Sequence, residues 1–228
     1  MRAGRAKLPS LSAALAGVPA GVQPVGPWMG RRQLFVKFAG EAETATIYTA
    51  DALRGELVRL AGRSRYHSVA ILGRDPLAEP EFLATALHEA LPLPVMLSHD
   101  GQRPEALDGL LGRLALAQVR MDGSEGDGAL ERVAESVSRA AGKRVSHAVA
   151  IVPAEAASDG RLLQVVERVH AASAETAVVL HPSIESYQAA DRRWIAWLER
   201  AAALHDDVRL LPVAGTGARS GTRNELPG

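Results

Sequence analysis

Cysteine is absent from the 228-residue chain. Without thiols the chain can form no disulfide bond, thiolate nucleophile or cysteine zinc site, and its own residues cannot hold a cysteine-ligated iron–sulfur cluster. The absence leaves the redox compartment of the protein undetermined.

Long apolar runs are absent as well, since no stretch approaches the ~20 residues that a membrane-spanning helix needs. The basic start and the apolar residues 8–18 resemble a leader sequence, but Pro9, Ser10 and Ser12 interrupt the apolar part. We therefore expect a cytoplasmic protein that has no membrane partner.

Neither sign of charge predominates, because Lys plus Arg and Asp plus Glu both number 26. A chain with no excess of positive charge lacks the electrostatic signature of nucleic-acid binding, so we expect no nucleic acid partner. The motifs Gly-x-Ser-x-Gly, Gly-Lys-Ser/Thr and Gly-x-Gly-x-x-Gly are also missing. Their absence removes a hydrolase nucleophile elbow and a glycine-rich phosphate loop from the candidate sites.

Short apolar, β-branched runs recur along the chain and alternate with segments of helical spacing. The predicted strands are Gln33–Phe38, Ser68–Leu72, Pro94–Ser98, Ala115–Met121, Ala148–Val152, Ala177–His181 and Val208–Leu211. The predicted helical segments are Leu53–Ala61, Phe82–Leu87, Leu107–Leu114, Leu130–Val137, Leu162–Val169 and Trp194–Ala201. Near-continuous hydrophobicity is typical of strands buried on both faces, and the alternation predicts right-handed βα units. The sequence therefore predicts an α/β protein with a mostly parallel sheet, either open or partly closed into a barrel.

The length allows one domain with a sizeable core and is too short for two. We expect a single domain over residues 1–213. Residues 214–228 are rich in Gly, Ser, Thr and Arg, which predicts a flexible C-terminal tail.

Polar side chains follow several of the predicted strands directly. Asp75, His99, Asp122 and His181 are candidate catalytic residues, because the carboxyl ends of parallel strands meet at one edge of a sheet. Histidines and carboxylates also bind zinc, manganese or iron, so Glu41, His99 and His181 are candidate ligands of a divalent metal. Alternatively, the same groups cap helices and bind loop amides, since none of them has the spacing of a known metal motif.

Arg74 stands at the same predicted edge and has two interpretations. Its guanidinium could bind an anion bidentately. It could equally form an ion pair with Asp75 or Glu41 and fill the space between the loops.

The order of several motifs is similar to that of a known enzyme family. Residues 21–26 resemble the family's Ser-Ile-Gln-Gly-Glu-Gly entry, and residues 72–77 resemble its Gly-Gly-Glu-Pro-Leu loop. Met121-Asp122, Leu180-His181-Pro182 and the closing strand Val208–Pro212 follow in the family's order. Over roughly residues 20–213 the chain resembles the radical-SAM carboxy-deazaguanine synthases (QueE). The resemblance implies a partial (β/α)6 barrel with a mostly parallel sheet and helices outside.

The resemblance also implies a place for S-adenosylmethionine. The backbone of the loop at Gly73, Arg74, Asp75 and Pro76 would bind its amino group, and Thr49 falls where the family has a magnesium-ligating threonine. The second glycine of the family loop is Arg74 here, and its acid is shortened to Asp75.

The three cysteines of the family's CxxxCxxC loop are missing. When the loop is aligned from its N-terminal side, Glu41, Ala45 and Tyr48 occupy their places. When it is aligned from the first predicted helix, the loop is one residue short, and it is in this alignment that Thr49 falls at the magnesium position. Cluster iron needs sulfur ligands, so we expect neither an iron–sulfur cluster nor cleavage of S-adenosylmethionine. The intact family function would be synthesis of carboxy-deazaguanine for queuosine.

We therefore expect a cluster-less homologue, without catalysis, that acts as a binding, regulatory or partner subunit. It would retain part of a pocket for S-adenosylmethionine or for a nucleoside or pterin, and it would form a homodimer or a heterodimer with an active relative. The alternative is an enzyme of another class that uses a metal for hydrolysis or proton transfer at Asp75, His99, Asp122 and His181.

Overall fold

The computed structural model describes residues 11–214, which form a ten-stranded mixed sheet with helices packed on it. The strands are β1 (Ser12–Gly17), β2 (Ala20–Val22), β3 (Arg32–Phe38), β4 (Thr46–Thr49), β5 (Ser68–Gly73), β6 (Val95–His99), β7 (Leu116–Met121), β8 (His147–Ile151), β9 (Ala177–Leu180) and β10 (Val208–Leu210). Residues 1–10 and 215–228, and with them nearly all of the predicted tail, lie outside the described residues.

Seven of the strands are parallel and follow one another across the sheet in chain order, from β3 through β5 to β10. All seven predicted strands are confirmed, and so is the mostly parallel α/β class. The order never reverses, so each βα crossover advances the chain by one strand in the same direction.

Three short strands on the β3 side of the sheet were not predicted. Strand β1 pairs antiparallel with β3 and β4, and β2 pairs antiparallel with β3. These strands are short, and alanine and glycine predominate in β1 and β2, so they lack the branched residues that indicated the parallel strands.

Within residues 11–214, six α-helices accompany the strands. They are α1 (Ala50–Ala61), α2 (Pro80–Ala86), α3 (Asp127–Gly142), α4 (Asp159–Ala172), α5 (Ile184–Ala189) and α6 (Asp191–Ala202). The predicted helix over residues 107–114 is wrong: two short 3₁₀ turns, Pro104–Leu107 and Leu111–Arg113, stand there. Gly109 and Gly112 interrupt the segment, and glycine is unfavourable in a helix interior.

The helices pack on one face of the parallel sheet, which we call the outer face. Val69 and Ile71 of β5 share a buried cluster with residues of α1 and α2, whereas Ala70 and Leu72 point to the opposite, inner face. The inner face contacts Trp28 and Val25, which belong to a segment without regular structure, residues 23–31. We call residues 23–31 the covering segment.

Close fits hold the covering segment against the sheet. The Gly26 N–H donates to His181 Nε2 at 2.7 Å, a bond across 155 positions of the chain. Gly26 has φ +86°, and a Cβ at this residue would lie 1.8 Å from Gln118 Oε1 of β7. Trp28 packs edge-on against His67, with ring centroids 4.8 Å apart. Glycine is required at position 26 both for its backbone angle and for lack of space.

Within residues 11–214, no helix combines the length and the apolar character that crossing a membrane requires.

Candidate functional site

A cleft with a volume of about 730 Å³ opens at the carboxyl ends of the parallel strands. We call it the strand-end cleft. Its polar lining residues are Gln23, Lys37, Asp75, Ser98, His99, Asp100, Arg120, Asp122 and Glu125. Its apolar lining includes Val25 of the covering segment, Leu72, Met121 and Val152. The volume is in the range of clefts that bind small molecules.

The loop after β5 forms one wall of the cleft. Gly73 and Asp75 line it, and a Cβ on Gly73 would lie 2.3 Å from the Phe38 carbonyl oxygen, so only glycine fits. Asp75 has φ +39° and accepts from Arg103 Nε at 2.9 Å. Arg74 points away from the cleft lining to Glu41, with Nη1 and Oε1 2.5 Å apart. Of the two interpretations of Arg74, the structure has the ion pair with Glu41.

Thr49 and Pro76 lie outside the cleft lining. Thr49 caps α1, where its hydroxyl accepts from the Ala52 N–H at 3.2 Å. Pro76 is buried at the start of a 3₁₀ turn, Pro76–Ala78. Of the residues that the resemblance assigns to a cofactor, Gly73 and Asp75 are therefore the two that reach the cleft.

His99 is a buried neutral imidazole at the end of β6. Its Nδ1 accepts from the Gly101 N–H at 3.1 Å, which places the ring proton on Nε2. Burial lowers the pKa of His99 to about 4, against the opposing effect of the negative charge of Asp75. Nε2 is buried and has no hydrogen-bond partner among the described residues. His99 thus offers the cleft a donor and no basic nitrogen.

Unlike His99, His181 has a hydrogen-bond partner on each of its two ring nitrogens. Its Nε2 accepts from Gly26, and its Nδ1 donates to the Leu211 carbonyl oxygen at 2.8 Å. Burial lowers the pKa of His181; the Leu211 bond opposes this effect and the positive charge of Arg120 adds to it. In the structure His181 fixes the covering segment and has no free nitrogen.

The loop after β7 is organised by its own carboxylates. Asp122 Oδ1 accepts from the backbone and hydroxyl of Ser124 at 2.8 and 2.6 Å. Glu125 accepts from the N–H groups of Asp122 and Gly123, both at 2.8 Å. Burial would raise the pKa of Asp122, but the hydrogen bonds from Ser124 lower it, so the carboxylate is ionised at neutral pH.

The candidate metal ligands are not brought together. No group of three or more His, Asp and Glu side chains within residues 11–214 could hold a metal ion, and Glu41, His99 and His181 form no such group. Metal ligation uses a neutral imidazole nitrogen with a free lone pair. The acceptor nitrogens of both histidines already bind backbone N–H groups, so a metal at either residue would break one of these bonds.

The loop that would carry a radical-SAM cluster does not fit one. The sequence has no thiolate anywhere, Glu41 binds Arg74, and Tyr48 belongs to strand β4. These residues supply none of the sulfur ligands that an iron–sulfur cluster needs.

Several lining residues had no place among the predicted site residues, notably Gln23, Lys37, Arg120 and Glu125. Arg120 could have been found, because Gln118 and Arg120 are the polar residues at alternate positions of an otherwise apolar strand. Gln23 could not, because nothing in the sequence places the covering segment over the sheet.

No protein-family model matches the chain, and no curated protein matches it.

Proposed function

We propose that the protein is a small-molecule-binding or regulatory subunit with a radical-SAM-like partial barrel, similar to carboxy-deazaguanine synthases, and that it binds its ligand without cleaving it. The ligand would occupy the strand-end cleft and would be S-adenosylmethionine or a nucleoside or pterin of similar size. The observation that carries the proposal is the cleft at the carboxyl ends of five of the seven sequentially ordered parallel strands, β3 and β5 to β8, in a chain with no cysteine.

Three features of the cleft support binding rather than chemistry. His99, the candidate histidine that lines the cleft, has no free basic nitrogen because its Nδ1 accepts from the Gly101 N–H. Its carboxylates Asp75 and Asp122 already accept hydrogen bonds from their own loops or from Arg103. The buried donor of His99 and the buried acceptor Oε1 of Gln23 have no partner among the described residues, and buried polar groups are normally satisfied. A bound ligand or water molecule that reached these two atoms would satisfy them.

The test is a calorimetric titration of purified protein with S-adenosylmethionine, with and without magnesium, and in parallel with a pterin and with zinc. The proposal is supported if S-adenosylmethionine or the pterin binds and is recovered from the protein chemically unchanged. Stoichiometric, tight zinc binding with turnover of a hydrolysable substrate would instead favour the metal-dependent enzyme of another class.

A matched pair of variants tests whether the ligand binds in the strand-end cleft. Ala154 lines the strand-end cleft, whereas Ala171 is exposed on α4. Ala154→Trp should abolish binding by filling the cleft, and Ala171→Trp should leave the affinity unchanged. Equal effects of the two substitutions, with both variants folded by circular dichroism, would contradict the assignment of the site.

Pairing with a second copy or with an active relative is a separate proposal that follows from the family resemblance. Coexpression of the two chains and light scattering of the purified protein test it. A monomer that captures no active relative would count against a partner role and would leave ligand binding untouched.

A further inference from the structure

Arg120 differs from the other charged residues of the strand-end cleft. It extends from the inner face of β7 and is exposed, and its guanidinium forms no hydrogen bond or ion pair with any side chain or backbone group of residues 11–214. Its positive charge reaches far enough into the fold to lower the pKa of His181.

None of the four carboxylates that line the cleft forms an ion pair with Arg120. Asp75 is bound by Arg103, and Asp100 accepts from the Gln102 N–H at 2.9 Å. Asp122 and Glu125 bind the N–H groups and the hydroxyl of their own loop. Lys37, the other cation in the lining, is paired with Glu43. The carboxylates are thus fixed by their loops, and Arg120 remains the cation of the lining that has no partner within residues 11–214.

The surroundings of Arg120 leave room for a planar anionic group beside an apolar one. Its neighbour across the sheet is Ala150 of β8, whose side chain is small. Val25 and Val152 pack with Ala150 in one apolar cluster, and both line the cleft. Guanidinium binds carboxylate and phosphate through two parallel hydrogen bonds, a geometry that this open position allows.

We propose that Arg120 is the anion-binding residue of the strand-end cleft, and that the ligand is a small organic molecule that carries a carboxylate or phosphate group. Its carboxylate or phosphate would lie on Arg120, and its apolar part would lie against Val25 and Val152. This inference rests on the proposed binding function and narrows its ligand to compounds that carry a negative group.

The test uses benzoate, phenyl phosphate and inorganic phosphate as probes, titrated into the full chain by calorimetry. The variants are Arg120→Gln and the control Arg63→Gln, since Arg63 is another exposed arginine outside the cleft lining with no side-chain partner within residues 11–214. We expect benzoate or phenyl phosphate to bind the unsubstituted protein more tightly than inorganic phosphate. Arg120→Gln should weaken that binding by about ten- to a hundredfold, the usual size of a charge-assisted hydrogen bond, and Arg63→Gln should not change it.

The two organic probes identify the anion, because preference for benzoate indicates a carboxylate and preference for phenyl phosphate a phosphate. The inference is overturned if none of the probes binds, if Arg120→Gln binds as tightly as the unsubstituted protein, or if inorganic phosphate binds as tightly as phenyl phosphate. Failure of the proposed function looks different. Arg120-dependent benzoate binding without any binding of S-adenosylmethionine or pterin would keep the anion site and reject the ligand class proposed above.

Discussion

The outer and inner faces of the parallel strands are built from the same short segments and yet have opposite character. On β7, Ala117, Val119 and Met121 belong to buried apolar clusters with helix residues, whereas Gln118 and Arg120 alternate with them on the inner face. The outer face is the core that holds the helices to the sheet. The inner face is covered by residues 23–31 and opens into the strand-end cleft.

This difference separates stability from function along a single strand. Substitutions on the outer face should act on folding, because they remove packing between sheet and helices. Substitutions on the inner face should act first on the covering segment or on ligand binding.

The largest expected effect is on the outer face. Leu180 of β9 is fully buried among residues of α4 and α6, so Leu180→Ala should lower the free energy of unfolding by about 2–5 kcal/mol. Ser98→Ala on the inner face removes only an acceptor of a 3.3 Å hydrogen bond from Gln118 and should cost about 1 kcal/mol or less. Urea unfolding compares the two variants, and similar losses would remove the distinction between the faces.

Next in size is the effect of acid on buried His99. Its folded-state pKa of about 4 lies below the ordinary value of 6.5, so the unfolded chain binds the proton first. Stability should be fully present above pH 6.5 and should fall between pH 6.5 and 4 by up to about 3 kcal/mol.

The control for this pH dependence is His99→Asn, whose side-chain oxygen can still accept from Gly101 and does not titrate. Urea unfolding at pH 7 and pH 4.5 should show a smaller loss for His99→Asn than for the unsubstituted protein. The same loss in both proteins would mean that His99 is not the group responsible.

A smaller difference is expected between two glycines within the covering segment. Gly26 and Gly30 have φ +86° and +81°, so alanine at either should cost about 1–3 kcal/mol in backbone strain. Alanine at 26 should cost about 1 kcal/mol more, because its Cβ overlaps the end of the flexible Gln118 side chain, whereas nothing lies within 4 Å of a Cβ at 30.

Chemical denaturation measures the two costs. The double variant Gly26→Ala/Gln118→Ala should recover part of the additional unfolding free energy that Gly26→Ala loses relative to Gly30→Ala. Without such recovery, the close approach of Gly26 to β7 would not be the cause.

The smallest effect should follow from Arg74→Ala. Its ion pair with Glu41 joins side chains that are 58% and 83% exposed, and exposed pairs contribute about 0–1 kcal/mol. We expect nearly unchanged stability and unchanged ligand affinity, measured by thermal unfolding and calorimetry. A large loss of affinity would restore Arg74 as an anion-binding residue.

The parallel strands could be predicted from the sequence because most of them are apolar runs buried on both faces, as β8 is throughout. The helix predicted over 107–114 failed because its leucines fit helical spacing, but Gly109 and Gly112 favour separate turns. Strand β4 was missed because its four residues are half-exposed and pair with the equally inconspicuous β1.

The sequence predicted the location of the candidate site better than it predicted the chemical state of its side chains. Asp75, His99 and Asp122 do line one cleft at the strand ends. His181 instead binds Gly26, and that bond could not be foreseen because it joins residues 155 positions apart. Whether a ring nitrogen of either histidine is free depends on its hydrogen-bond partners. The tertiary structure determines these partners, so the sequence does not reveal them.

Hydrogen–deuterium exchange with and without S-adenosylmethionine tests most directly whether the strand-end cleft binds the ligand. Protection should rise in the loops after β5, β6 and β7, at residues 73–75, 99–102 and 122–125, and should stay unchanged at the opposite ends of the same strands. Protection elsewhere in the chain, or none at saturating ligand, would contradict the account.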